Sequence, residues 1–216
     1  MARKTLFWDV DTQYDFMMSD GKLYVKGAER IIPVINRLRA TALDNGCSIV
    51  ASMDWHSADN PEISDEPDFQ TTFPPHCMAG SPGARRIGFL GKLPIHEIDP
   101  EPRDPDELAD LVRHGQFHIA LHKGSLDVFS NPNTVRLIES MPSRPERIVL
   151  FGVALDFCVK LTLERLARFT GTELVVVRDG TCAIDSEGAG QVLTDLERQG
   201  VQMTESGHLQ EMVPCG

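Results

Sequence analysis

The stretch Ile148-Val149-Leu150-Phe151-Gly152-Val153-Ala154-Leu155-Asp156-Phe157-Cys158 decides the fold. Its first six residues form an unbroken apolar run, the signature of a strand buried on both faces of a parallel sheet. Asp156 then supplies a helix N-cap, and a helical pattern continues from Phe157 to Arg168. The same strand-then-helix rhythm spreads in both directions. Further strand runs fall at Leu6 to Val10, Ser48 to Met53, Phe117 to Leu121 and Leu174 to Val177, with a weaker one near Val201 to Thr204. Helices fit Ala28 to Asn45, closed by Gly46 at the position after the cap, and Asp106 to Arg113, Thr134 to Glu139 and Glu187 to Arg198. Repeated β-α units predict an α/β fold: a three-layer α/β/α sandwich around a mainly parallel, roughly six-stranded sheet, in one domain spanning residues 1 to 216.

One segment lacks this rhythm. From Trp55 to about Pro105 the chain is rich in Pro, Gly, Asp and His with little periodicity. Structureless loops longer than about 15 residues are uncommon in compact domains unless they are functional or disordered. The segment is read as a functional loop.

Composition narrows the partners. The 216 residues are 41% hydrophobic and 25% charged, as in globular proteins, and the net charge of −11 argues against nucleic acid or an anionic membrane. A small molecule is the expected ligand. The apolar run at the N-terminus is too short for a signal peptide and no run reaches membrane-spanning length, so the expected compartment is the cytoplasm. Five scattered cysteines (Cys47, Cys77, Cys158, Cys182, Cys215) without a C-x-x-C pair fit a reducing environment.

Ligands of open parallel sheets bind beyond the carboxyl ends of the strands. Strand ends deliver Asp11, then Asp54 and His56, then Lys123, then Cys158 to one rim. Cys158 would sit in a first helical turn, where free N–H groups and the helix dipole favour thiolate. On local chemistry alone it reads more readily as a packed structural thiol. Asp11 at a strand end is also a common turn residue, and Lys123 alone is an ordinary lysine. Beside a thiol and a carboxylate, its charge would hold both as anions. Asp54, His56, Glu62 and His76 are nitrogen and carboxylate donors of the kind that zinc, iron or manganese use, although D-x-H by itself is weak and Asp59, Asp65, Glu66 and Asp68 crowd around Glu62. His96, His114, His118, His122 and His208, with Cys47, Cys182 and Cys215, show no reactive context.

Taken together, these residues resemble the isochorismatase-like cysteine hydrolases, nicotinamidase branch, over about Thr5 to Glu205. Asp11-Thr12-Gln13-Tyr14-Asp15-Phe16 is similar to the family's D-x-Q-x-D-F, and Gly21 to Ala28 to its G-x-L-x-V-x-G-A. Asp54-Trp55-His56 with Phe73-Pro74-Pro75-His76-Cys77-Met78-Ala79-Gly80-Ser81-Pro82-Gly83-Ala84 is similar to its D-x-H and W-P-x-H-C-x-x-G-T-P-G-A. Lys123-Gly124 and Gly152-Val153-Ala154-Leu155-Asp156-Phe157-Cys158-Val159, similar to G-x-A-x-D-x-C-V, complete the set. Thr12, Tyr14 and Leu155 depart from the family's common Val, Asn and Thr, Asp9 adds a nearby carboxylate, and Lys123 to Asn133 is more like other cysteine hydrolases of the superfamily.

The resemblance implies that Cys158 attacks, Asp11 removes its proton and Lys123 stabilises the charged pair. It implies a cis peptide between Val153 and Ala154, and an oxyanion hole from the N–H groups of Ala154 and Cys158. Asp54, His56, Glu62 and His76 would hold a divalent metal, zinc first and iron or manganese otherwise, with Phe16 and Phe73 as aromatic walls. The implied reaction is hydrolysis of a small carboxamide through a thioester, nicotinamide to nicotinate and ammonia first, a step in pyridine-nucleotide synthesis. A carbamoyl, ureido or other small amide is the alternative substrate, and a non-catalytic metal- or ligand-binding homologue the alternative function. The family also implies a homo-oligomer, a dimer or tetramer.

Overall fold

A computed structural model describes residues 4–88, 91–169, 171–209 and 213. The apolar runs become β1 (Thr5–Val10), β2 (Ser48–Asp54), β4 (His118–Lys123), β5 (Arg147–Val153), β6 (Glu173–Cys182) and β7 (Gln202–Thr204). A seventh strand, β3 (Ile95–Ile98), adds to the roughly six expected. It lies inside the segment read as structureless. As an edge strand it has one neighbour and two exposed residues, His96 and Glu97, so it shows no apolar run. All neighbours are parallel, in the order β3-β4-β2-β1-β5-β6-β7.

Alternation along β1 builds the layers. Leu6, Trp8 and Val10 face one side, packing with Leu108, Leu137, Leu163 and Leu196 from α3 (Pro105–Arg113), α4 (Asn133–Ser140), α5 (Lys160–Leu166) and α6 (Ala189–Arg198). Phe7 faces the other, with Ile35, Leu38 and Ala42 of α2 (Ile32–Asp44). The helix expected from Ala28 begins instead as a 3-10 turn, Ala28–Ile31, because Pro33 has no N–H to donate and suits the first turn of the α-helix that follows. A one-turn helix, α1 (Tyr14–Met17), lies between β1 and the 3-10 turn. Asp104 caps α3, accepting the Asp106 N–H at 2.8 Å.

The helix expected at Phe157 has a different entry. Leu155–Val159 forms a π-turn, closed by the Val159 N–H donating to the Ala154 carbonyl at 3.0 Å, before α5 begins. Asp156 lies inside that turn and caps nothing. Just upstream, Gly152 has φ of 118°, and a Cβ there would stand 2.0 Å from the Val10 carbonyl oxygen. Only glycine lets β5 pass so close to β1 at the rim. No helix among the described residues is long and apolar enough to cross a membrane.

Candidate active site

The carboxyl ends of β1, β2, β4 and β5 do meet. Asp11 leaves β1 with φ of 48°, a left-handed conformation that turns the chain away while its carboxylate stays at the rim. Its Oδ1 accepts the Ser52 hydroxyl at 2.8 Å, and its Oδ2 lies 3.0 Å from Lys123 Nζ. The same ammonium contacts Asp54 Oδ1 and stands 3.7 Å from Cys158 Sγ. Asp11, Asp54, Lys123 and Cys158 are all at least 95% buried, at 0%, 3%, 1% and 5% exposure.

Such burial among charges sets the protonation states. Burial would lower the Lys123 pKa, but the Asp11 and Asp54 carboxylates outweigh it and hold the ammonium. Burial also works against the Asp54 carboxylate, yet Lys123, His56 and His76 keep its pKa well below the usual range. Burial raises Asp11, with Asp54 adding to the rise and Lys123 opposing it. Burial raises the Cys158 thiol as well, with Lys123 opposing the rise and Asp11 and Asp54 adding to it. The expected lowering by a helix N-terminus is thus overridden in the free site: a thiol enclosed beside two carboxylates stays protonated.

Next to this cluster, Asp54, His56 and His76 bring three donor atoms within 4.8 Å of one another. Both ring nitrogens of His56 are buried without a hydrogen-bond partner, Nε2 standing 3.5 Å from Asp54 Oδ2. His76 Nδ1 is 2.8 Å from the Pro74 carbonyl, which turns Nε2 toward Asp54 at 3.4 Å. A carboxylate and two imidazoles, one of them with both ring nitrogens orphaned, fit a divalent metal of the zinc, iron or manganese type. Glu62 stands outside this trio: its Oε1 accepts the Leu126 N–H at 3.2 Å, and burial raises its carboxyl pKa.

Above the cluster opens a narrow cleft lined by Phe16, Phe73, Asp54, Glu62, His76, Ala154, Cys158 and apolar neighbours. The Phe16 and Phe73 rings lie 5.3 and 6.1 Å from the His76 ring, and Phe73 meets Phe157 edge-on at 6.4 Å. The peptide between Val153 and Ala154 is cis, as the resemblance implied.

A family model described as the isochorismatase domain matches residues 6–207. The chain belongs to the isochorismatase family. Among curated proteins it is similar to the nicotinamidase/pyrazinamidase of Mycobacterium tuberculosis, 26% identical over 197 residues covering 90% of this chain and 95% of that one. A nicotinamidase of Acinetobacter baylyi is 28% identical over 216 residues, 93% and 92% of the two chains. The crystal structure of a pyrazinamidase of Pyrococcus horikoshii in complex with zinc shares the fold, with a TM-score of 0.72 at 21% identity over 94% of this chain and 99% of that one.

In this isochorismatase-family chain the rim carries groups that residue-type reasoning passed over. The Gln13 side chain donates to the Asp54 and Ala84 carbonyls and accepts the Asp54 N–H, each at 2.7 to 2.8 Å, so it clamps β1 to β2. Asp15 accepts the N–H groups of Lys22 and Cys77, fixing the loop that carries His76. Asp9, Arg39 and Arg86 form a buried ion cluster beneath Asp11. Leu23, Val25, Leu126, Phe157 and Ile184 complete the cleft walls, and only their three-dimensional convergence reveals them. His118 contacts Arg86 and His122 stacks on Trp55 at 4.3 Å, both structural as expected, while Cys215 lies outside the described residues.

Proposed function

We propose that this chain hydrolyses an uncharged aromatic carboxamide, nicotinamide first, to the acid and ammonia, with Cys158 as nucleophile in a single catalytic domain. Amide hydrolysis accords with the nicotinamidase relatives. The observation that carries the cysteine mechanism is Lys123 Nζ standing 3.0 Å from Asp11 and 3.7 Å from Cys158 Sγ at the floor of the cleft.

As Cys158 Sγ bonds to the amide carbon, its proton passes to Asp11, whose raised pKa suits it to receive one. The N–H groups of Ala154 and Cys158 would take the charge that develops on the substrate oxygen, a contribution of about 3 to 4 kcal/mol for one such donor elsewhere. Breaking the C–N bond returns the proton from Asp11 to the leaving ammonia. Water then adds to the thioester with Asp11 as base, and rupture of the C–S bond releases the acid and restores the thiol. Lys123 keeps Asp11 and Asp54 compensated throughout. A divalent ion held by Asp54, His56 and His76 would supply a Lewis-acidic anchor for a ring nitrogen, zinc being the first candidate, while Glu62 lines the cleft outside this three-donor set.

Charge favours a neutral ring over carbamoyl or ureido substrates that carry a carboxylate. The polar side chains lining the cleft are Asp54, Glu62, His76 and Cys158, with no arginine or lysine to receive a substrate carboxylate. The other linings, Phe16 and Phe73 among them, suit an aromatic face. The test is ammonia release from a panel of amides by metal-loaded protein. Nicotinamide turnover that falls at least about 1,000-fold in Cys158→Ala is expected. Turnover of ureido acids alone would remove the ring assignment, and full activity in Cys158→Ala would remove the mechanism.

A further inference from the structure

Ile184 is 48% exposed, one of three large apolar side chains more than a third exposed among the described residues, and it lines the cleft. It follows the end of β6 in a loop that does not hang free. The Asp156 carboxylate accepts the Ile184 N–H at 3.0 Å through Oδ1 and the Asp185 N–H at 2.9 Å through Oδ2. Asp156 belongs to the π-turn that carries Cys158, so nucleophile and cleft mouth share one rigid unit. The other apolar walls are less open: Leu23, Leu126 and Phe157 are partly buried, and the rest are buried. Phe16, Val25, Phe73 and Val153 are buried at 7%, 1%, 4% and 0% exposure and belong to the packed interior. Ile184 is free of that duty, and its exposed face gains from being covered by an apolar edge.

Resting on the function proposed above, we infer that Ile184 is the specificity wall of the site. It meets the edge of the substrate ring remote from the amide and limits the substituents admitted there, and Asp156 is the positioning residue that holds it. The acyl group is therefore a flat ring with a small or absent substituent at that edge. Because the wall touches the ring and not the reacting atoms, it contributes alike to bound substrate and transition state. Its loss raises KM and leaves kcat nearly unchanged.

The experiment measures kcat and KM for nicotinamide and for nicotinamides alkylated at ring positions away from the amide, in wild type, Ile184→Ala and Asp156→Asn. Each methylene of fit is worth about 10- to 200-fold in such pockets. Ile184→Ala should lose about 10-fold in kcat/KM for nicotinamide through KM, and shift the preference toward an alkylated ring by at least 10-fold. Asp156→Asn should move KM the same way by less, since one of its two acceptor oxygens becomes a donor. An active wild type whose ring preference is unchanged in Ile184→Ala overturns the wall, as does a loss confined to kcat. A wild type that turns over no ring amide overturns the function proposed above, and the wall with it.

Discussion

Asp9→Asn should cost this protein a large share of its stability, in a way that pH exposes. Asp9 is fully buried on the α2 side of the sheet. Its Oδ1 accepts the Thr12 hydroxyl at 2.9 Å, and its Oδ2 pairs with Arg39 Nε at 2.7 Å and with Arg86 Nη2. At an effective dielectric constant of 20, one such pair attracts by about 6 kcal/mol, most of it offset by desolvation. Removing the shared anion leaves two buried guanidinium groups without it, and breaking a buried pair this way costs about 3 to 5 kcal/mol. Burial opposes the Asp9 carboxylate, but Arg39 and Arg86 outweigh it and hold its pKa far below the usual value of 3.8. A depressed folded pKa contributes stability that is complete above the unfolded pKa, near 4, and is lost as pH falls through the folded value. Urea unfolding followed by circular dichroism should therefore show a gap of about 3 to 5 kcal/mol between wild type and variant, constant from pH 5 to 8. Below pH 4 the gap should close by up to about 1.4 kcal/mol per pH unit, because only the wild type takes up that proton. A gap under about 1 kcal/mol at pH 7, or one equally wide at pH 3, would refute the reasoning.

Three further outcomes probe the rim. Lys123→Met should lower kcat for amide hydrolysis by at least about 100-fold at pH 7, since Asp11 and Asp54 lose their shared cation and Asp11 becomes protonated before it can act as base. Steady-state ammonia release measures this, and retention of half the activity would contradict it. Iodoacetamide labelling of Cys158, read by mass spectrometry, should accelerate with pH across 6 to 9 without levelling off, because burial holds the thiol protonated. A plateau by pH 7 would mean a preformed thiolate. His56→Ala should reduce the bound metal measured by elemental analysis after exposure to zinc, from about one per chain to a small fraction, whereas Glu62→Gln should leave more than half, since Glu62 lies outside the three-donor cluster. Equal losses in both variants would place Glu62 in the coordination shell.

The strands were legible because β1, β2, β4 and β5 are buried on both faces and so are written as apolar runs. Their carboxyl ends then named Asp11, Asp54, Lys123 and Cys158 in turn. The edge strand β3 was not legible, since Ile95-His96-Glu97-Ile98 pairs on one side only. Nor was the π-turn: five residues are too few to carry a period, and Asp156 at its start imitates a cap while its carboxylate serves a loop 28 residues away. The Asp9 cluster did leave a trace. Asp9 interrupts an apolar strand, and Arg39 lies on the helix face of Ile35, Leu38 and Ala42. Two charges at core positions are a signal that each has a partner, though not which one.

What the structure changes most is how Cys158 would become a nucleophile in the mechanism proposed above. Placing a thiol at a helix start suggests a thiolate waiting for substrate. The enclosed cluster argues otherwise, because Asp11 and Asp54 against Lys123 already leave one net negative charge out of water. Losing the thiol proton to solvent would double that charge in a site where burial resists even the first. Handing the proton to Asp11 leaves the total unchanged. In the proposed mechanism the thiol would therefore ionise cheaply only as its proton moves to Asp11, and bound substrate would help by placing its carbonyl oxygen against the N–H donors as the charge leaves sulfur for oxygen. Lys123 would serve both ends of this transfer, since it stands 3.0 Å from Asp11 and 3.7 Å from the sulfur and can compensate whichever of the two carries the charge.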